Sequence, residues 1–225
     1  MMERVAEPEL MDDEAQARAY AEADFTAPHD HFVALLRECF PHLAPQGVAL
    51  DLGCGPGDVT LRVARALPGW SIDGIDGSLA MLRHGQDAVS RAGLADRVDL
   101  RQAYLPDGRA PRPRYDLVFS NSLLHHLADP MALWRCVIRW ASAGAAVFVM
   151  DLMRPINREA ARHLVAAYGA NEPEVLRRDF FNSLLAAYTL GEVTQQVKAA
   201  GMGQLAVRPV SDRHLVVSGE RSSQL

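Results

Sequence analysis

Lysine is almost missing from this 225-residue chain. Lys198 is the only one, and the rest of the 23 basic residues are arginines. Acidic residues number 28, so the net charge is −5 and the isoelectric point is about 5.9. Nucleic-acid binders carry a basic domain or face, and this composition argues against such a partner. The cluster Arg109, Arg112, Arg114 sits among prolines and reads as a solvated loop. Cysteine is scarce too: Cys39, Cys54 and Cys136 are odd in number, widely spaced and free of any CxxC. That excludes a disulfide scaffold and a cysteine zinc site. No apolar run approaches the ~20 residues that span a bilayer. The longest, around Ala141 to Met150, is short and strand-like. The opening MMERVAEPELMDDEAQ is acidic and lacks a hydrophobic stretch, so it is not a secretory signal. A reducing, cytoplasmic compartment without a membrane span is the expectation, and repeats and low-complexity segments are absent.

What is present suits one globular domain. Hydrophobic residues make up 49% and charged residues 23%, and the length leaves room for one core. Apolar runs alternate with helical patterns, the signature of a parallel sheet covered by helices. Strands are expected at Gly47–Leu52, Trp70–Ile75 (ending at Asp76), Val98–Gln102, Tyr115–Ser120 and Ala145–Leu152. Helical spacing fills residues 12–40, with a break near Pro28. Asp58 is the expected N-cap of a helix through Leu67, and Ser78–Ala92 and Pro130–Ala141 are also expected to be helical. Residues 154–188 read as mainly helical and interrupt the alternation, and Leu190–Ala200 is a further helix. Two short strands close the chain, Gln204–Pro209 and Arg213–Ser218. Their link at Ser211-Asp212 is too short for a crossover, so they pair antiparallel. The expected fold is α/β, a doubly wound, mostly parallel seven-stranded sheet with an antiparallel last strand and a helical lid. Residues 1–44 form the N-terminal part of that lid, and 45–225 form the core with an insertion at 154–189.

Ligands of open α/β sheets bind beyond the carboxyl ends of the strands. The first such end carries Asp51-Leu52-Gly53-Cys54-Gly55-Pro56-Gly57-Asp58. Glycines let a ligand approach the backbone, and a small Cys54 suits the same crowded turn. A dinucleotide fingerprint would place its third glycine where Asp58 stands. Asp51 and Asp58 would repel a pyrophosphate and suit a ligand bearing positive charge. Asp76 ends the second strand 25 residues after Asp51, placed so that its carboxylate can accept both hydroxyls of a ribose. Asp73 is a competing acid, but it lies mid-strand on the face of Ile75.

These residues resemble the class I S-adenosylmethionine-dependent methyltransferases. Asp51 to Gly57 match the family's (D/E)xGxGxG motif, and Gly74 to Leu82 resemble its second motif. The resemblance implies a Rossmann-like fold and S-adenosylmethionine, which carries an ammonium, a sulfonium and no phosphate. It further implies that Asp51, Gly53, Cys54, Gly55 and Gly57 bind this cofactor. By the same resemblance Asp76 binds the ribose, and Gly77, Ser78 and Met81 border the adenosine. After the third strand the family often has an acid that meets the adenine. Here Tyr104 stands in that place, with stacking on the adenine or simple packing as its roles.

Strand four runs into Ser120-Asn121-Ser122-Leu123-Leu124-His125-His126-Leu127-Ala128-Asp129. This resembles the (S/N)xxLHHLxD segment of small-molecule members and lacks the prolines of base- and protein-methylating ones. Ser120 and Asn121 are therefore expected at the cofactor, and Asn121 and His125 at the reaction centre. A base is needed only where the acceptor carries a proton that must leave, and histidine titrates near neutrality. His29, His31 and Asp129 were the available further metal ligands, but no spacing ties them to the histidine pair, and no metal is expected. Aromatic residues and Arg177 or Arg178 of the insertion are candidates for holding an anionic acceptor. A small-molecule acceptor is the leading expectation, with its nucleophilic atom and the oligomeric state open. RNA or protein methylation, and cofactor binding without turnover, are the alternatives.

Overall fold

Alternation along the strands decides the architecture. Leu50 and Leu52 point to one side of the sheet and Ala49 to the other, and each side has its own buried cluster. The computed structural model describes residues 2–8, 10 and 12–222. Its parallel strands are β1 (Gly47–Leu52), β2 (Trp70–Asp76), β3 (Val98–Gln102), β4 (Tyr115–Asn121), β5 (Ala141–Leu152) and β6 (Ala206–Pro209), with β7 (His214–Glu220) antiparallel to its neighbours. The sheet order is β3-β2-β1-β4-β5-β7-β6. The hairpin return thus inserts β7 between β5 and β6. This is the expected doubly wound fold with an antiparallel last strand.

Helices α1 (Glu14–Glu22) and α2 (Thr26–Cys39) precede β1, and α3 (Asp58–Ala66) and α4 (Leu79–Arg91) follow β1 and β2. Phe32 and Leu36 of α2, with Val63 of α3 and Leu82 of α4, cover one face of the sheet. On the other face lie Trp134 and Val137 of α5 (Met131–Trp140) and Val193 of α8 (Leu190–Ala199). The insertion supplies α6 (Arg158–Tyr168) and α7 (Glu174–Ala186), with a small apolar cluster of its own around Ala161 and Leu184. Thr189 and Glu192 form a reciprocal capping box that starts α8.

Several local expectations need correction. The N-terminal helical stretch breaks at Ala23–Phe25 and not at Pro28, which sits in the first turn of α2. There its missing N–H belongs to a position with no intrahelical partner anyway. Strand β5 begins at Ala141, directly after α5, with Gly144 at φ 76° and a register shift opposite Tyr115. Asp58 does not cap α3. Gly57 is the N-cap, at φ 80°, and the Asp58 side chain is used elsewhere. The arginine loop is not simply solvated: Arg112 Nε donates to Asp73 at 3.0 Å, and Arg114 donates to the carbonyl of Arg139. Among the described residues no helix is long and apolar enough to cross a membrane.

Candidate functional site

The turn after β1 folds back on the end of β2. The N–H groups of Gly53 and Cys54 both donate to the Ile75 carbonyl, at 2.8 and 3.1 Å. Gly55 N–H donates to Asp76 Oδ2 at 2.8 Å, and Asp76 Oδ1 accepts from Ser78 N–H at 2.8 Å. Asp76 therefore ties the glycine turn to the start of α4, where Ser78 is the N-cap and accepts from Met81 N–H. Burial raises the Asp76 carboxyl, and these backbone donors pull against that shift. Gly53, Gly55 and Gly57 all have positive φ, which is why glycine is needed there. A Cβ on Gly55 would meet nothing within 4 Å, so that side of the turn is open. Cys54 packs on Gly74, where any side chain would strike its sulfur. Burial pushes its thiol up, which leaves it unreactive.

A cavity of about 580 Å³ opens over this turn. Asp51, Gly53, Cys54, Gly55, Asp76, Gly77, Ser78, Met81, Tyr104 and Asn121 all line it. Of the residues expected at the cofactor, Gly57 and Ser120 do not reach it. Gly57 shapes the turn, and Ser120 is fully buried and donates its hydroxyl to the Leu52 carbonyl. Tyr104 is 52% exposed, with its ring against Gly77. Asp73 is spent on Tyr115 and Arg112, as a mid-strand acid should be.

The electrostatics differ from the sequence expectation in one respect. Asp58 is neutralised by His29 and Arg62, at 2.6 and 2.8 Å. Burial alone would raise it, but these two partners bring it down to about 2. Arg62 also pairs with Asp30, so this cluster pins α2 to α3. Asp51 is the acid left for a cation. It is 2% exposed and accepts from the Thr60 hydroxyl at 2.6 Å, and burial pushes it up to about 7. A carboxyl with a folded pKa above its unfolded 3.8 stabilises the fold fully below that unfolded value. The contribution is lost as pH climbs through about 7. Relative to Asp51→Asn, the ligand-free protein should lose melting temperature between roughly pH 4 and pH 7, the span of these two values. Asp51→Asn should flatten that slope and melt higher at the alkaline end. Parallel slopes for both proteins would contradict the assignment.

A second cavity, also about 580 Å³, lies beside the first. The two share Leu10, Tyr20, Phe25, His29, Asn121, Ser122 and His126 as a common wall. Ser122 sits at φ 55°, a left-handed conformation that a non-glycine residue rarely adopts. His125 lines only the second cavity and is 2% exposed. Its Nδ1 lies 2.6 Å from Asp151 Oδ1. Burial lowers the His125 pKa, but the Asp151 charge and hydrogen bond, with Glu7, leave it raised overall. His126, half-buried beside His125, is pushed down to about 3 by desolvation and by the charge of His125. Of the two candidate arginines, only Arg178 lines this cavity, and both line an outer groove beside Arg162. His29 and Asp129 are tied to Asp58 and Arg135, away from the histidine pair.

Asp151 and Glu7 were missed by sequence reasoning. An acid inside the apolar strand run AAVFVMDL was a usable signal for Asp151. Glu7, 118 residues before His125, offered none.

Residues 50–147 match a family model described as a methyltransferase domain. That stretch, from Leu50 in β1 to Val147 in β5, is similar to methyltransferase domains. Trans-aconitate 2-methyltransferase of Mycobacterium tuberculosis is 33% identical over 126 residues, 55% of this chain and 43% of that protein. Ubiquinone biosynthesis O-methyltransferase of Pseudomonas savastanoi is 34% identical over 122 residues, 54% and 49% of the two chains. The chain thus matches less than half the length of these curated relatives. In fold, the chain is similar to a putative S-adenosyl-L-methionine-dependent methyltransferase from Methanococcus maripaludis. The TM-score is 0.72 at 19% identity, covering 98% of this chain and 99% of that one. The site suits S-adenosylmethionine: an open glycine turn, a strand-end carboxylate and a second acid with no basic partner among the described residues meet in one cavity.

Proposed function

We propose that the protein transfers a methyl group from S-adenosylmethionine to a small-molecule acceptor. The observation that carries this is the shared wall: a cavity over the glycine turn and a second cavity meet at Asn121, Ser122 and His126. Bound in the first cavity, S-adenosylmethionine supplies an electrophilic methyl group and a good leaving group. The protein then mainly positions and desolvates the nucleophile. Asp76 accepts from the ribose hydroxyls, and Asp51 faces the ligand's positive charge. Met81 and Tyr104 border the adenine. Gly53, Gly55, Gly77 and Ser78 let the nucleoside approach the backbone.

Asn121 and His125 serve the acceptor side, Asn121 at the junction and His125 in the second cavity. Residues 1–44 and 154–189 act as the lid, a reading supported by Glu7, Tyr20, Phe25, Leu176 and Phe180 in the wall of the second cavity. Tyr20 keeps its proton at neutral pH, because burial and three nearby carboxylates push it up to about 12. A cytoplasmic setting is supported by three unpaired cysteines, two of them buried.

The test is turnover. Purified protein with S-adenosylmethionine and a panel of small carboxylates, phenols and amines should release S-adenosylhomocysteine with at least one acceptor. Calorimetry showing a dinucleotide bound tightly and S-adenosylmethionine ignored would overturn the proposal.

A further inference from the structure

Glu7, His125 and His126 bring one carboxylate oxygen and two imidazole nitrogens within 4.8 Å of one another. Glu7 Oε1 lies 3.5 Å from His125 Nε2 and 3.2 Å from His126 Nδ1. A tetrahedral ion with bonds of about 2.1 Å holds its donor atoms about 3.4 Å apart. The two observed edges fall on either side of that separation. His126 Nδ1 is buried, and its contact with Glu7 lacks hydrogen-bond geometry.

The surroundings are those of a ligand set. His125 Nδ1 faces Asp151 at 2.6 Å, and Asp151 Oδ2 is in turn held by the Leu124 N–H at 2.7 Å. A carboxylate on the far nitrogen of a histidine fixes the tautomer whose near nitrogen offers a lone pair. Glu7 Oε1 accepts from the Ser183 hydroxyl at 3.0 Å, which orients the carboxylate. Once His125 Nε2 gives up its proton, lone pairs from two imidazoles and a carboxylate converge, and a cation between them replaces the charge of the imidazolium. The N-terminal segment is anchored so as to deliver Glu7. Arg4 donates to the carbonyls of Ala186 and His125, and its guanidinium lies 4.2 Å from the centre of the Tyr188 ring.

We propose that Glu7, His125 and His126 form a divalent-cation site in the wall of the second cavity. Two imidazoles and one carboxylate suit a borderline cation, zinc first among them. Three protein ligands leave a fourth position, and all three ligands line the cavity. That position is therefore available to an oxygen of a molecule bound there. In this site His125 holds the ion and does not take up a proton. The proposal goes beyond methyl transfer, and its test needs no methyl donor.

The experiment uses untagged full-length protein, stripped with a chelator and titrated at pH 7.5. Cobalt(II) should bind at one equivalent with visible d–d bands that zinc displaces. Zinc calorimetry should show Glu7→Gln and His126→Ala each binding at least about 10-fold more weakly, the low end for disturbing a metal site. His42→Ala, at an exposed position, should bind as the parent does. Melting curves of the metal-free proteins establish that the variants are folded. Glu7→Gln is close to isosteric, and removal of residues 1–8 gives a second route to the same loss. Absence of saturable zinc binding, or equal binding by the Glu7→Gln/His126→Ala double variant, would overturn the site.

Discussion

Replacing Asp76 with alanine is expected to weaken S-adenosylmethionine binding about 10- to 150-fold. Losing hydrogen bonds to a charged group costs about 1.5–3 kcal/mol. Asp76 Oδ1 and Oδ2 each hold one backbone N–H, from Ser78 and Gly55. A carboxylate has about four lone-pair directions, so acceptor capacity remains for a ribose hydroxyl beside these donors and the Gly77 N–H. Alanine removes the acceptors of the ligand and also those of the glycine turn. The same turn is folded back on Ile75 by Gly53 and Cys54, so it should keep its course while losing its outermost tie. Because both hydroxyls belong to the nucleoside, S-adenosylhomocysteine should lose as much affinity as S-adenosylmethionine. Calorimetry with both ligands separates the cases. Unchanged affinity would refute the ribose role, and a loss confined to S-adenosylmethionine would move Asp76 to the sulfonium.

The legible parts of the molecule were those written in short stretches of chain. Strand β1 and the glycine turn follow from an apolar run meeting closely spaced glycines, and the structure places β1 at Gly47–Leu52, as read. The end of β2 at Asp76 and the helix after Ser78 were equally local. The errors came where distant partners decide. Asp58 looked like a helix cap because caps are local, but His29, 29 residues earlier, claims its carboxylate. Arg112 looked solvated until β2 brought Asp73 beneath it. The same limit hid the second cavity. His125 was a candidate from its local segment and residue type, whereas its environment comes from Asp151 on β5 and from Glu7 on a segment with no pattern of its own. Sequence periodicity carries the sheet and not the contacts made across its ends.

Asp151 should therefore be the position where a single substitution costs the most stability around the candidate site. Asp151→Ala is expected to destabilise the protein by about 3–5 kcal/mol, the usual scale for removing one partner of a buried ionic pair. The carboxylate is 2% exposed and takes three donors: Leu124 N–H at 2.7 Å, His125 Nδ1 at 2.6 Å and Leu152 N–H at 2.8 Å. Alanine leaves the Leu124 N–H and one imidazole nitrogen buried without partners, and their desolvation is not recovered. For a chain of this length the melting temperature should fall by roughly 6–20 °C. Asp151→Asn keeps the shape and one oxygen, so it should recover part of the loss. It cannot accept from both the Leu124 N–H and His125 while its amide nitrogen faces one of them. A melting temperature within 2 °C or so of the parent for the alanine variant would contradict this, since that corresponds to less than about 1 kcal/mol. It would mean that water replaces the carboxylate and that the short turn at Leu124–His126 is held by its own backbone.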